Sequence, residues 1–173
     1  MSLKTLLQPD VVLGQTVLAL TPERIQSYGI KGMVLDVDET IVPFRQADTS
    51  ADLKQWFAEI RTVVSLWLVS NNTSERRIQA IAASLDVPYV ARAAKPSRRK
   101  LRQVLTEMEL PTHQVAMVGD RLFTDIVVGN RLGMFTIWVE PIEAMDRRSP
   151  KELLRITEIW LAQQLGAALC SSQ

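Results

Sequence analysis

Five short apolar runs recur along the chain: GMVLDV (32–37), VVSLWLVS (63–70), PYVA (88–91), QVAMVG (114–119) and MFTIWV (134–139). Most lack alternation, as strands covered on both faces do. Helical patterns separate them. TSADLKQWFAEIR (49–61) opens on capping residues and sets Leu53, Trp56, Phe57 and Ile60 along one stripe. SERRIQAIAASL (74–85) aligns Ile78, Ile81 and Leu85 behind Ser74. PSRRKLRQVLTEM (96–108) starts with a proline, which a first turn tolerates. TDIVVGNRLG (124–133) predicts a shorter helix ending near Gly133, and SPKELLRITEIWLAQQLGAAL (149–169) reads as a terminal amphipathic helix. Strand and helix in turn predict an α/β fold with a central parallel five-stranded sheet and helices on both faces. Ligands of such sheets bind beyond the carboxyl ends of the strands, where strand order switches.

A length of 173 residues favours a single domain over 1–173, with 1–30 as an N-terminal extension and 149–173 as a C-terminal helix. A hydrophobic content of 47% supplies an ordinary core. The formal net charge is +1, so no global field argues for nucleic acid. Cys170 is the only cysteine, which excludes a disulfide framework or a cysteine metal site within one chain and fits a reducing compartment. The start, MSLKTLLQPDVVLGQT, is broken by Pro9 and Asp10 and lacks a signal-peptide core, and no window holds ~18 uninterrupted apolar residues. The expected location is cytoplasmic, with attachment to a membrane surface left open.

The polar residues worth attention follow the strands. Asp36, Asp38 and Thr40 end the first run; Ser70, Asn71 and Asn72 end the second; Lys95 follows the third; Asp120 and Asp125 follow the fourth. On a regular strand Asp36 and Asp38 would point to opposite faces, so only a bend could aim both at one place. Each feature alone has a plainer reading. The two aspartates could cap a turn, Ser70-Asn71-Asn72 could be a turn, Lys95 a solvated loop lysine, and Asp125 a favourable residue early in a helix. His113 and Cys170 are assigned no chemistry, and Trp56, Trp67 and Trp138 are read as core.

Together, in this order, D36-V-D38-E-T40, LVSNN with Ser70, AAKPS with Lys95 and GDRLFTD with Asp120 and Asp125 resemble the motifs of a haloacid dehalogenase (HAD) superfamily phosphatase. GIKGMVLDVDETIVPF, VSNNTSERRI, AAKPSRR and VGDRLFTDIVVGNRLGMFTIWV are similar to its YqeG-like branch, which includes phosphatidylglycerophosphate phosphatases of phospholipid synthesis. Two positions depart from that branch: Glu39 stands where many members have Asn, and Arg121 where many have Gln. Neither removes a catalytic group.

The resemblance implies a three-layer Rossmann-like fold and a Mg2+-dependent phosphomonoesterase working through an aspartyl-phosphate intermediate. Asp36 would be the nucleophile. Asp38 would protonate the leaving oxygen, then activate water, while its backbone carbonyl meets the metal. Asp36, Asp120 and, directly or through water, Asp125 would complete the oxygen ligands that suit Mg2+. Lys95 would neutralise the phosphoryl group and orient Asp36. The Ser70 hydroxyl and the Asn71 N–H would bond its oxygens, and Thr40 would fix the loop.

Superfamily caps insert between Thr40 and Ser70 or between Ser70 and Lys95, and each interval already holds a helix and a strand. No cap domain is therefore expected, and the site should be open. The substrate would be a phosphate monoester, with a lipid headgroup as the leading reading. The alternatives are a soluble metabolite or phosphoprotein, a non-enzymatic phosphoacceptor and a binding module. Arg92, Arg98, Arg99, Lys100 and Arg102 either solvate a helix face or meet an anionic membrane. Phe44, Arg45, Leu6, Leu7, Val11 and Val12 are candidates for substrate or surface contact.

Overall fold

The computed structural model describes residues 2–44, 46–143 and 150–170. In chain order these form α1 (Leu3–Leu7), β1 (Val11–Val12), α2 (Pro22–Ser27), β2 (Gly32–Leu35), α3 (Ala51–Ile60), β3 (Ser65–Val69) and α4 (Glu75–Leu85). They continue with β4 (Tyr89–Val90), α5 (Arg99–Met108), β5 (Val115–Gly119), α6 (Val127–Leu132), β6 (Phe135–Trp138) and α7 (Pro150–Gln164). The strands pair in parallel in the order β1-β6-β5-β2-β3-β4.

The sheet has six strands where the sequence pattern predicts five. The sixth is β1, which sets Val11 opposite Ile137 at the outer edge. Two residues are too few to show a period, so only tertiary partners define this strand. Leu13 N–H donates to Trp138 O at 2.9 Å. The Asp10 carboxylate accepts from the Thr136 N–H and hydroxyl at 2.8 and 2.9 Å. Leu7, Val11 and Val12 are consequently buried, and Leu6 is half-buried, so the expected N-terminal surface contact is not presented by those buried side chains. Arg45 lies outside the described residues.

Along β2 the two periodicities of the sequence meet. Met33 and Leu35 face α3 and α4, packing with Leu53, Phe57, Ile60, Ile78 and Ile81. Val34 faces the other way, with Val69 and Met117, onto Leu101, Val104 and Val128 of α5 and α6. Every residue of β2 and β5 is buried, which accounts for their unbroken apolar character. A third cluster joins α1 and α7 to the sheet edge through Leu7, Val12, Leu122, Ile126, Trp138 and Ala162.

Two helix starts differ from expectation. The Ser50 hydroxyl accepts from Leu53 N–H and caps α3 as the sequence predicts. α5, however, begins at Arg99: Arg92 and Ala93 still donate their N–H to Asn72 O and Ser70 O, at 3.2 and 2.9 Å, and Lys95 and Pro96 form a turn, closed by the Ser97 N–H to Ala94 O bond at 2.9 Å. The expected helix over 124–133 begins instead as a single π turn, Leu122–Ile126, and becomes regular only at Val127.

From β2 the chain steps outward to β3 and β4, then returns to β5 on the other flank and moves on to β6. The switch in strand order therefore lies between β2 and β5. Leu35 sits opposite Val118 there, and Asp36 N–H donates to Val118 O at 2.9 Å. The residues after both strands emerge side by side.

Candidate active site

The bend that the paired aspartates require occurs immediately after Asp36. Ile41 and Val42 both donate their N–H to Val37 O, at 3.1 and 3.2 Å, folding the chain back on itself. Glu39 takes a left-handed conformation with φ 67°, which costs an L-residue on the order of 1–2 kcal/mol and which Asn tolerates better. Its backbone bonds to Val42 O and from Ile142 N–H, at 2.8 and 2.7 Å, hold it there. Asp36 and Asp38 consequently line the same cleft.

Asp120 follows β5. Thr40 donates its hydroxyl to Asp120 Oδ1 at 3.2 Å, and the Trp138 indole N–H donates to Asp120 O at 2.8 Å. The π turn brings Asp125 back beneath the strand end, where Arg121 N–H donates to Asp125 Oδ2 at 3.2 Å. Such turns concentrate at functional sites because the extra residue re-aims a side chain. Gly119 makes the approach possible, since a Cβ there would lie 2.4 Å from Asp125 Oδ2.

Lys95 binds this group together. Its Nζ lies 2.5 Å from Asp36 Oδ1, 2.7 Å from Asp125 Oδ1 and 2.9 Å from Val69 O. The Asn71 side chain fixes the lysine backbone in both directions, accepting from Lys95 N–H at 2.7 Å and donating to Lys95 O at 3.0 Å. Asn71 thus braces Lys95 as well as lining the cleft.

Asp38 is held by residues from the other flank. Arg77 Nη1 on α4 contacts Asp38 Oδ1 at 2.6 Å, and Asn72 Nδ2 and the Ser70 hydroxyl donate to Asp38 Oδ2 at 3.2 Å. Arg77 also donates to Gln46 O and Pro43 O, at 2.8 and 3.0 Å, so one guanidinium ties the acid to its own loop. The Ser70 hydroxyl accepts from Asn72 N–H at 2.9 Å and is fully buried, so here it serves Asp38 rather than facing the cleft. Sequence reasoning did not single out Arg77. In ERRIQAIAASL it looks like a solvated residue on the polar side of an amphipathic helix, and no one-dimensional signal separates it from Arg76.

Asp36, Asp120 and Asp125 each offer an oxygen within 4.8 Å of the others, and all three are buried. Burial raises the Asp36 pKa to about 7; Asp125 and Asp38 add to the rise, and Lys95 opposes it. Asp120 is likewise raised well above the usual carboxylate range by burial and by Asp36 and Asp125, against Arg121 and the Thr40 hydroxyl. Burial alone would depress Lys95, but the two carboxylates more than reverse this and its pKa is raised. One lysine cannot balance three carboxylates. Asp125 Oδ1 meets the Lys95 ammonium as an ion pair at 2.7 Å and accepts no hydrogen bond from any other group. An all-oxygen donor set of three buried carboxylates with an excess of negative charge fits a hard divalent cation.

This electrostatic arrangement predicts a pH signature. A carboxyl whose folded pKa lies above its unfolded value favours folding at low pH, and that contribution is lost as pH rises through the folded pKa. The metal-free protein should therefore lose melting temperature between about pH 3.8 and about pH 7. Mg2+ should recover the loss on the alkaline side of that window, and differential scanning calorimetry with and without chelator checks both.

The cleft encloses about 350 Å³ and is lined by Asp36, Asp38, Asn71, Lys95, Asp120 and Arg121, with Phe44 at 40% exposure among the other walls. Among the described residues no folded unit is inserted over it: one helix separates β2 from β3 and one separates β3 from β4.

Residues 2–143 match the family model described as mitochondrial PGP phosphatase. "Probable phosphatase YqeG" of Bacillus subtilis is 32% identical over 145 residues, covering 83% of each chain. Phosphatidylglycerophosphate phosphatase 1, chloroplastic, of Chlamydomonas reinhardtii is 30% identical over 150 residues, covering 80% of this chain and 55% of its own length. The chain thus spans about half of that algal relative. Among solved structures, an uncharacterized protein of Listeria monocytogenes serotype 4b aligns with a TM-score of 0.54 at 15% identity, over 78% of this chain and 99% of its own. YfnB of Bacillus subtilis, named as a HAD-hydrolase and bound to magnesium, aligns at 0.53 and 12% identity, over 70% and 91%. These two likenesses concern the fold.

Proposed function

The chain belongs to the mitochondrial PGP phosphatase family, within the HAD-type phosphatases, and on that premise we propose that it hydrolyses phosphatidylglycerophosphate through a phosphorylated Asp36 with the help of Mg2+. The observation that carries this reading is the convergence at the strand-order switch. Asp36, Asp120 and Asp125 approach within 4.8 Å, with Lys95 bridging two of them.

The site suits a two-step displacement. The Asp36 carboxylate attacks phosphorus as the bond to the leaving oxygen breaks, and Asp38 gives its proton to that oxygen. Asp38 then takes a proton from water, which displaces phosphate from Asp36 and regenerates the free carboxylate. Splitting the reaction this way replaces one difficult step with two easier ones. Asp36, Asp120 and Asp125 are the side chains that would hold Mg2+, which would offset the repulsion between an anionic nucleophile and an anionic phosphate. Lys95 adds a fixed cation in a buried setting, where its field is weakly screened. Thr40 orients Asp120, and Asn71 orients Lys95.

Arg77 should matter according to the leaving group. Its contact with Asp38 positions the proton donor, so Arg77→Met should lower kcat about tenfold or more for alkyl phosphates, whose leaving oxygen needs a proton. Aryl phosphates, which leave readily unprotonated, should change much less. A uniform loss across both classes would reduce Arg77 to a structural role.

Substrate identity is tested by phosphate release from phosphatidylglycerophosphate in mixed micelles against a panel of soluble monoesters, each with Mg2+ and with chelator. The expected result is metal-dependent turnover with the lipid preferred. Preference for soluble monoesters would reject the lipid assignment and leave the phosphatase. The open cleft is the observation that favours a substrate whose reacting phosphate sits on a large or surface-bound body.

A further inference from the structure

α7 packs with Arg155 and Glu158 inward, while Thr157, Gln163 and Gln164 lie outward among its apolar residues. Glu158 and Ala162 are buried and Arg155 is half-buried, whereas Leu153, Leu154, Ile156, Trp160, Leu161 and Leu165 are 38–57% exposed. The inward polar residues have partners. Glu158 pairs with Arg121, whose Nε lies 3.1 Å from both carboxylate oxygens. Arg155 pairs with Glu140 and places its guanidinium 5.6 Å over the Trp138 ring. From Leu153 to Gly166 the only charged residues are these two, so no exposed charge interrupts the outward apolar face. Single exposed apolar residues are commonplace, but five large ones on a fifteen-residue helix, with Leu165 just beyond it, form a patch that marks an interaction site.

Position and charge identify what covers it. Glu140 follows β6 and Arg121 lines the cleft, so α7 flanks the edge of the sheet where the site opens. At its far end the face continues onto α1, where Lys4 lies against Gly166 and Leu3 is 62% exposed. Lys4 is itself exposed, and exposed Arg99 with half-exposed Arg98 and Lys100 follows Lys95. An uncharged apolar strip carrying a tryptophan, with Lys4 at its far end and the cleft opening beside it, suits a helix face pressed into a lipid interface with anionic headgroups. We infer that the outward face of α7, with Leu3, is a docking surface for an anionic phospholipid bilayer, which seats the Asp36 cleft near headgroup level. This rests on the lipid reading of the substrate.

Trp160 makes the inference measurable. Trp56 and Trp138 are buried and Trp67 is half-buried, so Trp160 is the strongly exposed one of the four tryptophans. With the full chain and vesicles of equal phosphatidylcholine and phosphatidylglycerol, cosedimentation and a blue shift of tryptophan emission are expected. The double substitution Ile156→Ser and Trp160→Ser, both on exposed positions, should reduce vesicle partition at least about tenfold while turnover of a soluble aryl phosphate stays unchanged. Wild-type protein that stays in the supernatant, or a variant that partitions equally, overturns the inference. So does a wild-type dimer that the double substitution splits, because the face would then belong to a second copy. Failure to bind vesicles with retained hydrolysis of micellar phosphatidylglycerophosphate removes the docking surface and leaves the substrate. Vesicle binding without that hydrolysis does the reverse.

Discussion

Asp36→Asn should lower phosphatase turnover by at least about 10⁴-fold, because the covalent route disappears when the nucleophile does. The same substitution should leave the metal-free fold intact, or raise its melting temperature on the alkaline side of neutrality. Asp36 is one of three buried carboxylates, and burial and its acidic neighbours raise its pKa to about 7. An amide of the same shape removes that repulsion. Lys95 keeps Asp125 at 2.7 Å and Val69 O at 2.9 Å, so its charge stays paired. Stabilisation by Mg2+, conversely, should weaken sharply in the variant. Loss of activity together with loss of fold would show that Asp36 is chiefly structural. Activity within a few fold of wild type would end the aspartyl-phosphate mechanism.

Lys95→Met should be damaging in both respects. The side chain is 1% exposed, and its removal leaves Asp36 and Asp125 buried without their cation. Breaking a buried pair in this way typically costs about 3–5 kcal/mol. Protonation of the carboxylates relieves part of that cost, so denaturant titrations should find it larger above about pH 7 than below it. The lysine's own pKa is raised, so its contribution persists across the working range and is lost only under strongly basic conditions. Added Mg2+ should restore some of the lost stability by supplying positive charge to the same oxygens. Turnover should remain lower by about 10²–10³-fold, the usual effect of losing one preorganised charge partner of a developing transition state. If Mg2+ restores turnover as fully as it restores stability, Lys95 is a structural counter-ion and has no part in the reaction.

Much of this arrangement was legible in one dimension. The five apolar runs of the centre are strands because a doubly covered strand must be apolar throughout, and β2 and β5 are buried at every residue. Regular alternation of strand and helix then leaves few topologies, and polar residues at strand ends must gather at one edge. Asp36 and Asp120 meet for that reason. The sixth strand was not legible, since Val11 and Val12 are two residues long and owe their conformation to β6. The start of α5 at Arg99 is not legible, since Pro96 reads as a helix first turn but lies in a tertiary turn fixed by Ser70, Asn71 and Asn72. Arg77 was invisible because its value depends on Asp38, thirty-nine positions away in the chain. α7 shows the deepest limit. Its amphipathic pattern is plain, but a pattern gives a face and not the direction in which the face points.

The class of fold and the strand ends that carry Asp36 and Asp120 follow from contiguous residues, because local apolar periodicity and strand-end placement are short-range properties. Which donor holds Asp38, how Asp125 comes to lie beneath Gly119, and that α7 turns its apolar side outward are settled by long-range packing. Those outcomes depend on charges and surfaces brought together from distant parts of the chain. Glu158 is buried because Arg121 is there to receive it, and the leucines of α7 face outward as a consequence.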